Sequence, residues 1–258
     1  MEFINLSKKH SLASSISHTL LNILLVGAVW LSIYITKFPF IAIGLVLVSK
    51  WRTFAVRPRY WIVNVKSNLV DLIFSIGIVL LMWHNGAEYL LSTAILVGLY
   101  VIWLTFLKPQ STEIYMKFQA ILAVLIGSMA LVSISYAWNQ EVVVLMGFLI
   151  GYASLRHILS VDGEKNIEIF SLFWGVIVAE MFWLFSFWTT GYALFGMKNF
   201  IVPQVSIVVT TLSFAVFEFI LNFKNPEKSK KDLLLPIGMM FLLCFILVVF
   251  FSGSASGI

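Results

Sequence analysis

The sequence predicts an all-α integral membrane protein. The expected fold is a bundle of about nine transmembrane helices (about 8–10 at the limits), N-terminus cytoplasmic and C-terminus outside. Three observations carry that expectation. The chain is 60% hydrophobic and 11% charged, with mean hydropathy +0.98; a soluble domain is about half apolar and about a quarter charged. The apolar residues fall in long continuous runs without period-2 alternation. Lipid requires every backbone N–H and C=O to be paired internally, and barrel strands alternate, so such runs select helices. The third observation is the placing of the basic residues, which emerges once the spans are drawn.

A span needs about 20 apolar residues. In chain order the runs lie over 18–36, 39–56, 67–84, 89–107, 118–137, 142–158, 169–190, 204–223 and 233–252. The first follows Lys8 and Lys9 and resembles a secretory signal. The stretch from His18 to Thr36 is longer than a signal core and has no small-residue cleavage site, so it reads as a retained span. Only Lys37-Phe38 separates it from the second run, which opens at Pro39. Charge keeps the two apart: fused, they would put Lys8 and Lys9 opposite the basic segment 50–66. The remaining runs are joined by short loops, so sequence neighbours are expected to be antiparallel, and the last precedes a Ser- and Gly-rich tail. With the N-terminus inside, only Lys37 and Lys198 of the seventeen lysines and arginines face out, as the positive-inside rule requires. Trp30, Trp83, Trp138 and Trp188 then fall near outer ends and Trp51 and Trp61 near inner ends, an aromatic belt. Residues 1–258 read as one polytopic domain, placed in the cytoplasmic membrane.

The basic pI, near 9.3, does not point to nucleic acid, because the cations flank spans. Cys244 is the single cysteine and has no partner for an internal disulfide. There is no Cys/His pair at metal spacing, and nothing calls for a cofactor.

Ionisable groups inside spans are the candidates for chemistry, since an acid or base at a helix centre costs roughly 2.5–3.5 kcal/mol. Three carboxylates qualify: Asp71, Glu180 and Glu218. Asn64, Asn68, Asp71 and Ser75 recur at helical spacing and form one polar stripe. Thr211, Glu218 and Asn222 form another, His18 and Asn22 a third, and Arg156 lies beside His157. Most of these lie in the cytoplasmic half. The expectation is a polar cavity open to the cytoplasm, lined by the first, third, sixth and eighth spans, with Glu180 at its deep end. Interhelical hydrogen bonding alone, at about 0.6 kcal/mol per bond, is the competing account.

The segment 50–66 carries Lys50, Arg52, Arg57, Arg59 and Lys66 with no acid. Pro58 biases Arg57 toward extended backbone. The segment is expected to bind anionic lipid at the cytoplasmic face, or an anionic group of a substrate. Lys50, six residues and then Arg57-Pro58 match the first signature of the type-2 phosphatidic acid phosphatases. The Pro-Ser-Gly-His and Ser-Arg…His…Asp elements of that family are absent. Nucleophile-elbow, zinc-helix and acidic diphosphate motifs are also missing, and no lysine lies deep enough for retinal.

These residues favour a small transporter or channel-like protein, with Asp71 and Glu218 binding a cation or exchanging protons and Glu180 a proton site. The alternative is a non-catalytic structural or scaffold subunit of a membrane complex, with a membrane-protein partner or a second copy. A membrane enzyme acting on a lipid or isoprenoid phosphate through the basic loop and His157 comes last.

Overall fold

The computed structural model describes residues 2–51, 55–86, 89–135, 138–160, 166–187, 190–194, 197, 199–223, 238, 240–242 and 244–246. Residues 2–15 and 221–223 are described by backbone alone. The described residues form eight α-helices: α1 Glu2–Thr36, α2 Phe40–Ser49, α3 Trp61–His84, α4 Leu90–Ile102, α5 Glu113–Ser135, α6 Gln140–Leu159, α7 Ile167–Phe185 and α8 Gln204–Phe223. A 3-10 turn, Pro58–Tyr60, leads into α3, and a π-helical turn, Trp103–Leu107, extends α4. Two short strands, β1 Gly191–Ala193 and β2 Ile201–Pro203, pair antiparallel with Gly191 opposite Pro203.

Among the described residues, six helical stretches are long and apolar enough to cross a membrane: Ile16–Thr36, Pro58–His84, Leu90–Leu107, Glu113–Ser135, Gln140–Leu159 and Ile167–Phe185. The architecture is that of an all-α membrane protein. The ninth expected span, 233–252, lies largely outside the described residues.

The second span departs from expectation. The apolar run over 39–56 yields only α2, ten residues long. At 1.5 Å per residue that is about 15 Å, half of a hydrocarbon core of about 30 Å. Its start is set by local chemistry. Lys37 adopts φ 59° and donates its N–H to Ile33 O at 2.9 Å, a left-handed cap that closes α1. Pro39 is the N-cap of α2. Helix α2 stops at Lys50, whose side chain turns inward instead of lying in a surface loop.

Consecutive helices alternate in direction, and cross-element bonds mark the two ends. At the end carrying Trp61, Leu107, Leu159 and Ile167, Lys66 and Arg156 reach Glu168; this is called the basic end below. At the opposite end Trp83 Nε1 donates to Lys37 O at 2.9 Å and Gln140 Nε2 to Ser186 Oγ at 2.9 Å.

The core has two parts. Val26, Phe74, Ile78, Met82 and Tyr100 knit α1 to α4, while Val124, Ile150, Val178, Phe182 and Phe217 knit α5 to α8. Small residues permit the closest approach. A Cβ on Gly151 would stand 2.8 Å from Val178 Cβ, and one on Gly175 would stand 3.1 Å from Phe148 O. Gly147-Phe-Leu-Ile-Gly151 is thus a working small-xxx-small face of α6 against α7.

Candidate functional site

Two breaks in regular helix converge on Asp71. Helix α2 ends at Lys50, 6% exposed, whose ammonium bonds Asp71 Oδ2, Asp71 O (3.3 Å) and Ser75 Oγ (3.2 Å). All three of its N–H donors are therefore engaged. The π-turn supplies the rest. Trp103 Nε1 donates to Asp71 Oδ1 at 2.9 Å, and Lys108, the residue after the turn, bonds Asp71 Oδ2 at 2.8 Å. Trp103 is held by stacking on Phe74, centroids 3.8 Å apart and planes within 9°. The Lys108 side chain is 41% exposed while that of Asp71 is 11% exposed, so the site opens past Lys108.

The π-turn closes with Lys108 N–H on Trp103 O at 2.8 Å. The wider winding leaves carbonyls for side chains to satisfy. Asn22 Nδ2 donates to Leu104 O at 3.2 Å and also meets His18 Nδ1 at 3.3 Å. Gln119 Nε2 donates to Leu107 O (2.6 Å) and Gln110 O (2.9 Å), and its Oε1 meets His157 Nε2 at 2.8 Å. His18, Asn22, Lys50, Asp71, Ser75 and His157 thus belong to one polar layer around the turn. Lys108, Trp103 and Gln119 are the members that sequence reasoning missed. A π-turn is a common marker of functional positions, but Trp-Leu-Thr-Phe-Leu carries no local signal for one.

The electrostatics are unbalanced: two ammonium groups share one carboxylate. Moving ions out of water costs several kcal/mol each, and an apolar replacement of a buried pair is often neutral or stabilising.

The other candidates lie elsewhere. Glu168 collects Tyr152 Oη (2.6 Å), Lys66 (3.1 Å) and Arg156 (3.3 Å) between α3, α6 and α7. Lys117 pairs with Glu113 and Glu218, both at 3.0 Å. Thr211 and Glu218 line a mostly apolar cleft of about 560 Å³ between α5 and α8. Asn68 Nδ2 donates to Asn64 O within α3. Arg57 and Arg59 stay in the exposed loop, Arg59 over the Tyr60 ring at 4.6 Å. Arg52 and the Asn222 side chain fall outside what is described.

Glu180 is the largest departure. Helix α7 buries Ser171, Trp174, Gly175, Val178, Ala179 and Phe182, a stripe of period 3.6. Glu180 lies on the exposed opposite side, not at the deep end of a cavity. Ser171, Gly175 and Ala179, four apart, are the sequence signal that fixes this face.

Fold and site together define a polytopic helical membrane protein with ion clusters set inside an apolar bundle. Comparison with protein-family models, curated proteins and solved structures finds no match to this chain.

Proposed function

We propose that the protein is a small transporter or channel-like membrane protein that admits an anionic group to the Lys50–Asp71–Lys108 site from the cytoplasm. The basic end is taken as the cytoplasmic one, following the charge distribution. One observation carries the reading: two interruptions of regular helix each deliver a lysine to the same buried carboxylate. Irregular backbone at membrane depth is tolerated where it is buried in protein or lines a cavity, and transporter sites are characteristically built on broken helices. The site's surplus is positive. Asp71 and Glu218 already hold lysines, which argues against a free carboxylate waiting for a cation. Arg57 and Arg59, exposed nearby in sequence, add anion attraction at the mouth.

The test uses a cysteine at position 75 in a Cys244→Ala background, in detergent. Ser75 is fully buried beside Lys50, so reaction requires the site to open. An anionic methanethiosulfonate should react at least tenfold faster than a cationic one of similar size. Equal rates, or a faster cationic reagent, would sink the proposal.

A scaffold role has one observation of its own in its favour: the outward Glu180.

A further inference from the structure

We infer that the outer face of α7 docks a transmembrane helix of another protein, one carrying a basic side chain at the depth of Glu180. The inference is independent of the Asp71 site. Among the described residues α7 packs along α6 and touches α8 only lightly. Above and below Glu180 on its free side stand Phe173, Val176, Trp183 and Leu184, exposed by 49–70%. Beside them a groove of about 510 Å³ runs between α6 and α7, bounded by Val144, Phe148, Val176 and Trp183, with Gln140 and Glu141 at the start of α6. Away from the α6 start at Gln140 and Glu141, such a surface suits lipid except at the Glu180 carboxyl group.

Glu180 sits about 20 Å along α7 from Ile167 and about 8 Å from Phe185. Side chains on a helix lean toward its N-terminus, here the basic end. The carboxyl is therefore directed away from the nearer surface and is badly placed to reach water by snorkelling. Among the described residues it has no hydrogen bond or ion pair. A charged or hydrogen-bonding group at this depth finds its partner in protein.

The chemistry of the partner follows from the cations this chain has in place. Lys50 and Lys108 are held by Asp71, Lys66 and Arg156 by Glu168, and Lys117 by Glu113 and Glu218. Lys66, Arg156 and Lys117 lie at the basic end, Lys50 and Lys108 are taken up inside the bundle by Asp71, and Lys37, at the opposite end, lies over the Tyr34 ring at 5.0 Å. A second copy inserted in the same orientation offers Glu180 only Lys37, which stands beyond the end of α1 rather than inside a span. The complement is a foreign helix with an Arg or Lys in its own apolar span, seated along the α6/α7 groove.

The probe is a Leu/Ala transmembrane peptide carrying one Arg at the matching depth, with a twin carrying Met there. The chain, Cys244→Ala with a donor dye at Ser160→Cys, is reconstituted with acceptor-labelled peptide, and energy transfer is titrated. The Arg peptide should associate at least tenfold more tightly than the Met peptide. Glu180→Leu should abolish the difference, and Glu180→Arg should transfer the preference to a peptide bearing Glu. Glu180 is on the surface, so the Leu variant should keep its unfolding curve. Equal association of the two peptides, or a preference that survives Glu180→Leu, overturns the inference. Glu180-dependent transfer between two copies of the chain without peptide also overturns it, in favour of a homodimer.

Discussion

Removing the Asp71 charge should be the most damaging single polar change in the chain. In Asp71→Leu the two ammonium groups lose their anion, and Lys50, with a side chain 4% exposed, is left buried without it. Breaking a buried ion pair from one side typically costs about 3–5 kcal/mol. Lys108, 41% exposed, can swing outward and adds little. The converse change, Lys50→Met, should be milder, because Asp71 keeps Lys108 at 2.8 Å and Trp103 at 2.9 Å; roughly 1–3 kcal/mol is expected. In Lys50→Met/Asp71→Leu the buried charges go together, and stability should return to within about 1 kcal/mol of the parent, as apolar replacement of buried pairs generally permits. The assay is reversible unfolding in mixed micelles, followed by tryptophan fluorescence, on all four members of the cycle. A coupling of at least about 2 kcal/mol is expected for residues in direct contact. Additive effects, with coupling below about 0.5 kcal/mol, would refute the idea that Lys50 and Asp71 form one buried unit.

The other perturbations separate mechanisms by size in the same titration. Trp103→Phe keeps the stack on Phe74 but removes the N–H given to Asp71, and should lose about 1.5–3 kcal/mol. Glu168→Gln should lose no more than about 1 kcal/mol and be sensitive to salt. Its partners Lys66 and Arg156 lie at a side-chain exposure of 36% and 17%, and Glu168 itself at 48%. Gly151→Ala forces a Cβ to within 2.8 Å of Val178 and 3.1 Å of the Gly175 backbone and should cost about 1–3 kcal/mol. Gly98→Ala, with nothing within 4 Å, should be neutral or stabilising by up to about 1 kcal/mol. Equal effects at the two glycines would contradict the α6/α7 packing described above.

What was legible in the sequence was whatever depends on period and composition. Hydropathy found the long helices, and spacing put Asp71 and Ser75 on one face of α3, where both meet Lys50. The Tyr152–Arg156 spacing likewise brings both side chains to Glu168. The half-length of α2 was hidden, because apolar and aromatic residues continue through Ala55-Val56 after the helix has ended. Lys50 then read as a topological loop charge, and only a tertiary contact twenty-one residues away reveals otherwise. The π-turn was hidden for the same reason: hydropathy does not distinguish one extra residue in a turn. Glu180 was expected to face inward, and the spacing of Ser171, Gly175 and Ala179 is the signal that points the other way. On a helix apolar all round, small residues rather than hydropathy mark the packed side.

The most direct measurement is the sidedness of the Asp71 site. A single cysteine at position 75, in the Cys244→Ala background, is exposed to a membrane-impermeant maleimide in sealed vesicles of either orientation. A cysteine replacing Ser128, fully buried within α5, serves as the protected control. The account predicts labelling at 75 from the cytoplasmic face alone, at a rate well above that of position 128. Labelling from the outer face, or protection as complete as at 128 from both faces, would contradict a cytoplasm-facing site and leave the cluster as internal packing.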